Sequence, residues 1–173
     1  MDSSEPTAEE ASPSVANVEE KLRLQNVVKN GANWFLWVAG LSLLNSVMSL
    51  SGSRFQFIFG LGISQVVDAL ARRIGSAGLL LDLVINGFVA GVLLVFWNFA
   101  RKGNRWAFLA GMCLYGLDGL WMLWIVGLSL DLGVAFHAAA LYGMYRGFAA
   151  VPDLQYIQQL KTMSPLWRKP WDQ

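Results

Sequence analysis

NGANWFLWVAGLSLLNSVMSLSGS, residues 30–53, runs for 24 residues without a charged side chain. A helix rises 1.5 Å per residue, so about 20 apolar residues cross the hydrocarbon core of a bilayer. Outward from this stretch the gap in charge recurs three times. Residues 74–100 carry only Asp82, residues 106–130 carry only Asp118, and residues 132–145 carry no Asp, Glu, Lys or Arg. Past Arg146 the apolar character resumes through Gly147, Phe148, Ala149, Ala150 and Val151. An arginine near a helix end snorkels to the interface, so this last stretch still spans. The pattern predicts four transmembrane helices near 31–50, 78–100, 106–127 and 132–150, and the fold class is an all-α integral membrane four-helix bundle.

Composition agrees. Of 173 residues, 55% are hydrophobic, 13% aromatic and 14% charged, against about 25% charged in soluble domains. The net charge of +1 leaves no basic excess for nucleic acid. Cys113 is the single cysteine, which excludes an intrachain disulfide.

Residues 54–74 are amphipathic. Phe59, Ile63, Val66, Leu70 and Ile74 fall at helical spacing, while Gln56, Ser64, Gln65, Asp68 and Arg72 largely occupy other faces. The expectation is an outward-facing interfacial or re-entrant helix; a fifth span is the rival. With four spans, Lys21, Arg23, Lys29, Arg101, Lys102, Arg105, Arg146, Lys161, Arg168 and Lys169 share one side against Arg54, Arg72 and Arg73. A fifth span would even out this division, and the positive-inside rule prefers the lopsided one. Both termini are therefore expected in the cytoplasm. No short apolar run followed by a small-residue cleavage site marks a signal peptide in the first 30 residues, so the first span is expected to act as its own insertion signal.

The ends differ from the middle. Residues 1–16 are rich in Ser, Pro, Ala and Glu and read as a disordered acidic tail. Asn17 and Glu20 match a capping pattern, so residues 17–29 read as a cytoplasmic amphipathic helix leading into the first span. Pro152 is expected to break the fourth helix, with Asp153 capping a new one in a cytoplasmic tail, 151–173. Leu154, Ile157 and Leu160 give that tail an apolar stripe, and Trp167 and Trp171 flank Arg168 and Lys169. Such ends suit adhesion to the cytoplasmic leaflet or contact with a partner protein. Trp34, Trp37, Trp97 and Trp106 near one predicted boundary, with Trp121 and Trp124 toward the other, form an aromatic belt.

Small residues mark packing seams, because helices in lipid associate by close approach. Gly87 and Gly91 lie on the second span, Ala107, Gly111, Tyr115 and Gly119 on the third, and Ala135, Ala139, Gly143 and Gly147 on the fourth. They read as seams inside a compact bundle, with homodimerisation through the fourth helix as the rival.

Ionisable groups within spans are costly and become functional candidates by default. Counting from the predicted outer surface puts Asp82 about 6 Å, His137 about 8 Å and Asp118 about 14 Å deep. Asn86 and Tyr115 lie one turn deeper than Asp82 and Asp118 on their faces, and Asn45 lies in the outer half of the first span. Asn45, Asp82, Asn86, Tyr115, Asp118 and His137 thus make a candidate polar layer, with Asp68, Arg72, Arg73 and Asp131 as its outer rim. Asp131 also suits the N-terminus of the fourth helix. Two uses compete: an outward-opening cavity in which Asp118 and His137 handle a proton or cation, or an interhelical network that fixes helix register. One imidazole is a poor basis for zinc; no metal and no cofactor are expected.

Motifs for zinc proteases, phosphate loops and paired cysteines are missing from the sequence. His137 with Ala140, Gly143 and Gly147 loosely resembles the histidine-bearing helix of rhomboid proteases. That family sets a serine in G-x-S-G, whereas GSAG at 75–78 holds Ser76 one place out of position, and its fold has six spans. An intramembrane hydrolase is thus a remote alternative, and no catalytic residue is assigned. The strings GANWFLWVAGLSLLNS, GLGISQVVDALA, LYGLDGL and DLGVAFHAAALYG look like those of a group of small bacterial multipass membrane proteins of no established function. The resemblance covers about residues 31–145. It implies the membrane architecture and a bacterial inner membrane location, singles out Asp68, Asp118, Asp131 and His137, and implies no reaction. The functional expectation is a non-catalytic subunit, scaffold or assembly factor of a membrane complex, with proton, ion or small-solute transport or sensing as the alternative.

Overall fold

A computed structural model describes residues 13–50, 76–126 and 132–163. They form four helices: α1, Pro13–Leu50; α2, Ser76–Ala100; α3, Arg105–Val126; and α4, Leu132–Met163. No strand occurs among the described residues. The described residues are all-α, and α2 and α3 contain stretches, Leu83–Ala100 and Arg105–Trp124, long and apolar enough to cross a membrane. The expected helix at 54–74 lies outside the described residues, as do Asp68, Arg72, Arg73, Asp131, Trp167 and Trp171.

α1 packs against α2 and α4, and α3 packs against the same two. The four helices therefore form a ring with α1 and α3 on opposite corners. Neighbours run antiparallel. Trp97 near the end of α2 donates to the Asn33 side chain of α1 at 3.1 Å, and Gln155 late in α4 donates to the Gly103 carbonyl, just ahead of α3, at 3.2 Å. The start of α1, the α2–α3 turn and the end of α4 thus share one end of the molecule.

That turn is closed by its own backbone. The Asn104 amide bonds the Phe99 carbonyl and the Gly103 amide bonds the Ala100 carbonyl, at 3.2 and 2.8 Å. This is a Schellman stop, and it needs the left-handed φ of 82° that Gly103 supplies. Asn104 is then followed directly by α3.

An aromatic layer fills the middle of the ring. Phe35 reaches across from α1 and lies 6.2 Å from Phe96 of α2 and 6.1 Å from Phe108 of α3, ring to ring. Gly111 leaves the room that the Phe35 ring occupies. Beside this layer α1 and α4 touch backbone to backbone: a Cβ on Gly147 would stand 2.7 Å from the Gly31 Cα. Trp34 covers Gly143 one turn along. The third-span seam faces inward as expected, and Gly143 and Gly147 do so on the fourth. Gly87 and Gly91 correct the expectation, because both look into open space and Gly87 is exposed. Ala135 and Ala139 are exposed too. Gly31, the partner of Gly147, has no small residue four places away and so carries no seam pattern of its own.

Both terminal helices depart from the expected boundaries. α1 begins at Pro13 and runs unbroken into the first expected span, so Asn17 sits inside the helix rather than capping it. Proline suits the first helical position, where its missing N–H leaves nothing unbonded. α4 continues through Pro152 to Met163. A proline inside a helix costs about 3 kcal/mol. Here Val151 and Leu154 on either side are buried with Val28 of α1, and that packing carries the helix past the lost bond. Substituting Gly147 or Gly31 by Ala should cost about 1–3 kcal/mol by overpacking, read as a lower thermal midpoint by circular dichroism. Gly87→Ala should not lower it, since nothing occupies the space its methyl would take.

Candidate functional site

Ten residues separate Phe35 from Asn45, Phe96 from Asn86, Phe108 from Asp118 and Gly147 from His137. Because neighbouring helices run in opposite directions, these four counts lead the same way along the bundle. They end about 15 Å from the aromatic layer. Each helix thus delivers one polar side chain to a common level, and all four are buried.

Two of them meet. His137 Nε2 lies 3.0 Å from Asp118 Oδ2, with side-chain exposures of 6% and 7%. The depth difference counted from the sequence, about 6 Å, disappears because α3 and α4 are staggered at their ends. His137 Nδ1 lies 2.9 Å from the Gly133 carbonyl, one turn back on α4. A carbonyl only accepts, so Nδ1 carries a hydrogen and donates it. Nε2 faces a carboxyl oxygen. If the carboxyl is ionised, Nε2 must donate; if it is protonated, the carboxyl donates to Nε2. In both cases one exchangeable proton lies between the two atoms, and the pair has no net charge. Without that proton, two lone pairs would face each other at 3.0 Å.

The neighbours fit this arrangement. Tyr115, one turn before Asp118 on the helix, stacks flat on the imidazole, with ring centres 4.6 Å apart and planes within 5°. Gly119 lets the imidazole approach: a Cβ there would meet its Cδ2 at 3.2 Å. The Tyr115 hydroxyl is buried with no hydrogen-bond partner among the described residues, and so is the Ser46 hydroxyl on α1. Two apolar grooves flank α3. One, of 590 Å³ between α3 and α4, has His137 and Cys113 in its wall. The other, of 500 Å³ between α2 and α3, is bordered by Asp118 and Tyr115.

Of the predicted layer, Tyr115, Asp118 and His137 are in direct contact, and Asn45 and Asn86 are buried at the same level. Asp82 lies on α2, and its side chain is outside the described set, as is that of Ser76. Ser42 and Ser46 join the layer without having been predicted. Both are fully buried and share a face with Asn45. The spacing Ser42, Asn45, Ser46 held the signal, which a search for ionisable groups passes over. Among the described residues no group of three His, Cys, Asp or Glu could hold a metal ion.

The geometry makes two substitutions informative. Asp118→Ala leaves a buried imidazole N–H or lone pair unmatched and should lower stability by roughly 1–3 kcal/mol. Tyr115→Phe keeps the stacked ring and removes an unmatched hydroxyl, so its unfolding midpoint should equal or exceed that of the parent in the same thermal scan. No family model matches this chain, and comparison with curated proteins and with solved structures finds none similar to it.

Proposed function

We propose that this chain is an integral membrane protein that crosses the bilayer four times, with both termini in the cytoplasm, and serves as a non-catalytic subunit, scaffold or assembly factor. Its outer surface supports immersion in lipid. Phe88 and Trp124 are 73% and 78% exposed, while Asn45, Asn86 and His137 are inside. Water would favour the reverse distribution. All eight Lys and Arg among the described residues (Lys21, Arg23, Lys29, Arg101, Lys102, Arg105, Arg146 and Lys161) lie on one side of the polar layer, which supports cytoplasmic ends. The resemblance to small bacterial multipass proteins adds the inner membrane as the location.

The observation that carries the scaffold role is the overhang of α1 and α4. α1 has 38 residues and α4 has 32, about 57 and 48 Å at the helical rise against a hydrocarbon core of about 30 Å. The extra turns continue the spans without a break. Leu22, Tyr156 and Leu160 remain exposed on them. A partner protein docked there is coupled rigidly to the membrane part. The polar layer then sets helix register.

A second reading rests on the proton held between Asp118 and His137: conduction or sensing of protons through the layer. Asp118→Asn separates the two. Its amide still donates to Nε2, so a register role keeps the parent's unfolding midpoint, and a partner protein co-purified in mild detergent is retained. The proton role needs an exchangeable proton, which the amide does not supply. A pH-sensitive dye in reconstituted vesicles would then lose its response in Asp118→Asn alone. For the scaffold role, Leu22→Gln with Leu160→Gln should release the partner and leave membrane insertion unchanged. Retention of every co-purifying protein by this double variant would refute docking on the overhang.

A further inference from the structure

The α2–α3 turn places three cations within five residues, Arg101, Lys102 and Arg105, and all three are exposed. Each lies over an aromatic face: Arg101 at 4.7 Å from the Trp97 ring centre, Lys102 at 5.7 Å from Phe99, and Arg105 at 4.9 Å from Phe148 of α4. A ring beneath a cation holds its position without neutralising it. Among the described residues the ion pairs are Arg23 with Glu20 and His137 with Asp118, so none of the three cations is matched by a carboxylate there. Asp153, exposed on α4 near this end, forms no ion pair with the turn. The backbone under the cations is fixed by the Schellman bonds and by Gln155 on the Gly103 carbonyl. Below the turn the surface becomes apolar at once, through Phe99, Trp106 and Leu109, all exposed. Trp106 is itself wedged against Phe99, ring centres 5.3 Å apart.

We propose that this turn is a headgroup site for an anionic phospholipid of the cytoplasmic leaflet. The phosphate meets Arg101, Lys102 and Arg105, and an acyl chain lies along Phe99, Trp106 and Leu109. Charge complementarity selects the occupant, and continuity between the cationic and apolar surfaces selects a lipid over a soluble anion. The site rests on the membrane reading and adds a specific lipid partner to it.

The test uses the full chain in maltoside micelles, titrated with phosphatidylglycerol or phosphatidylcholine of equal acyl composition. Native mass spectrometry counts bound lipid, and thermal scans follow stability. Phosphatidylglycerol should stay bound under activation that strips phosphatidylcholine. The preference should fall about fivefold for each charge removed, so Lys102→Gln weakens it and the triple Arg101→Gln, Lys102→Gln, Arg105→Gln abolishes it. The comparison variant Lys21→Gln, Arg23→Gln, Lys29→Gln should retain it. An undiminished preference in both turn variants overturns the proposal. So does equal loss in the comparison variant, which would mean diffuse charge. So does an equal midpoint shift with inorganic phosphate alone, which would mean a soluble anion. If the chain resists alkaline extraction from vesicles yet ignores lipid charge, this site fails and the membrane reading stands. A chain that does not insert into vesicles ends both.

Discussion

A carboxyl group and an imidazole are costly to take out of water without partners, and Asp118 and His137 partner each other. Their contact of 3.0 Å restricts much of the bundle. α3 must present Gly119 toward α4, because any side chain there would press on the imidazole. Tyr115 must lie flat on the ring, which fixes the rotation of α3 about its axis. The Gly133 carbonyl must stay within reach of Nδ1, which fixes the ring relative to α4. A pair of this kind adds little net stability in itself. Its consequence is selectivity: slipping α3 past α4 by one turn would break the contact between Asp118 Oδ2 and His137 Nε2.

About 15 Å away the bundle relies on shape instead. Gly31 and Gly147 bring two backbones together, and Phe35 fills the centre against Phe96, Phe108 and the gap at Gly111. Apolar burial is non-directional, so close fit and polar contacts have to provide the specificity. The aromatic layer supplies the fit and the polar layer the contacts. Between them every helix is fixed at two heights, which defines both its position and its tilt.

Much of this is legible in the sequence. The gaps between charges locate α2 and α3 nearly to the residue, because each is a long apolar run with no proline inside it and a cluster of cations at the turn that joins them. Five members of the polar layer, Asn45, Asn86, Tyr115, Asp118 and His137, are readable as hydrogen-bonding or ionisable groups within long apolar runs, and all five are buried, whereas Asn98 of α2 is exposed. Azimuth is less accessible. Gly87 with Gly91 and Gly143 with Gly147 have the same spacing, yet one pair faces open space and the other a neighbouring helix. Small-residue spacing reports that close approach is permitted, not that a partner is there. Ser42 and Ser46 do not stand out because their hydroxyls are small and uncharged, which leaves an apolar run unbroken.

Pro152 shows why local rules fail where tertiary packing is strong. Proline removes one helical bond and crowds the carbonyl four residues back, which argues for a break. The opposing terms are non-local. Val151 and Leu154 are buried beside Val28, and Gln155 reaches the Gly103 carbonyl, so a break after Ala150 would give up all of these contacts. Burying two aliphatic side chains is worth roughly 3–6 kcal/mol, which exceeds the cost of about 3 kcal/mol for the proline. The same contacts tie the end of α4 to α1 and to the turn between α2 and α3. The last turns of α4 are therefore an extension of the bundle rather than a separate tail.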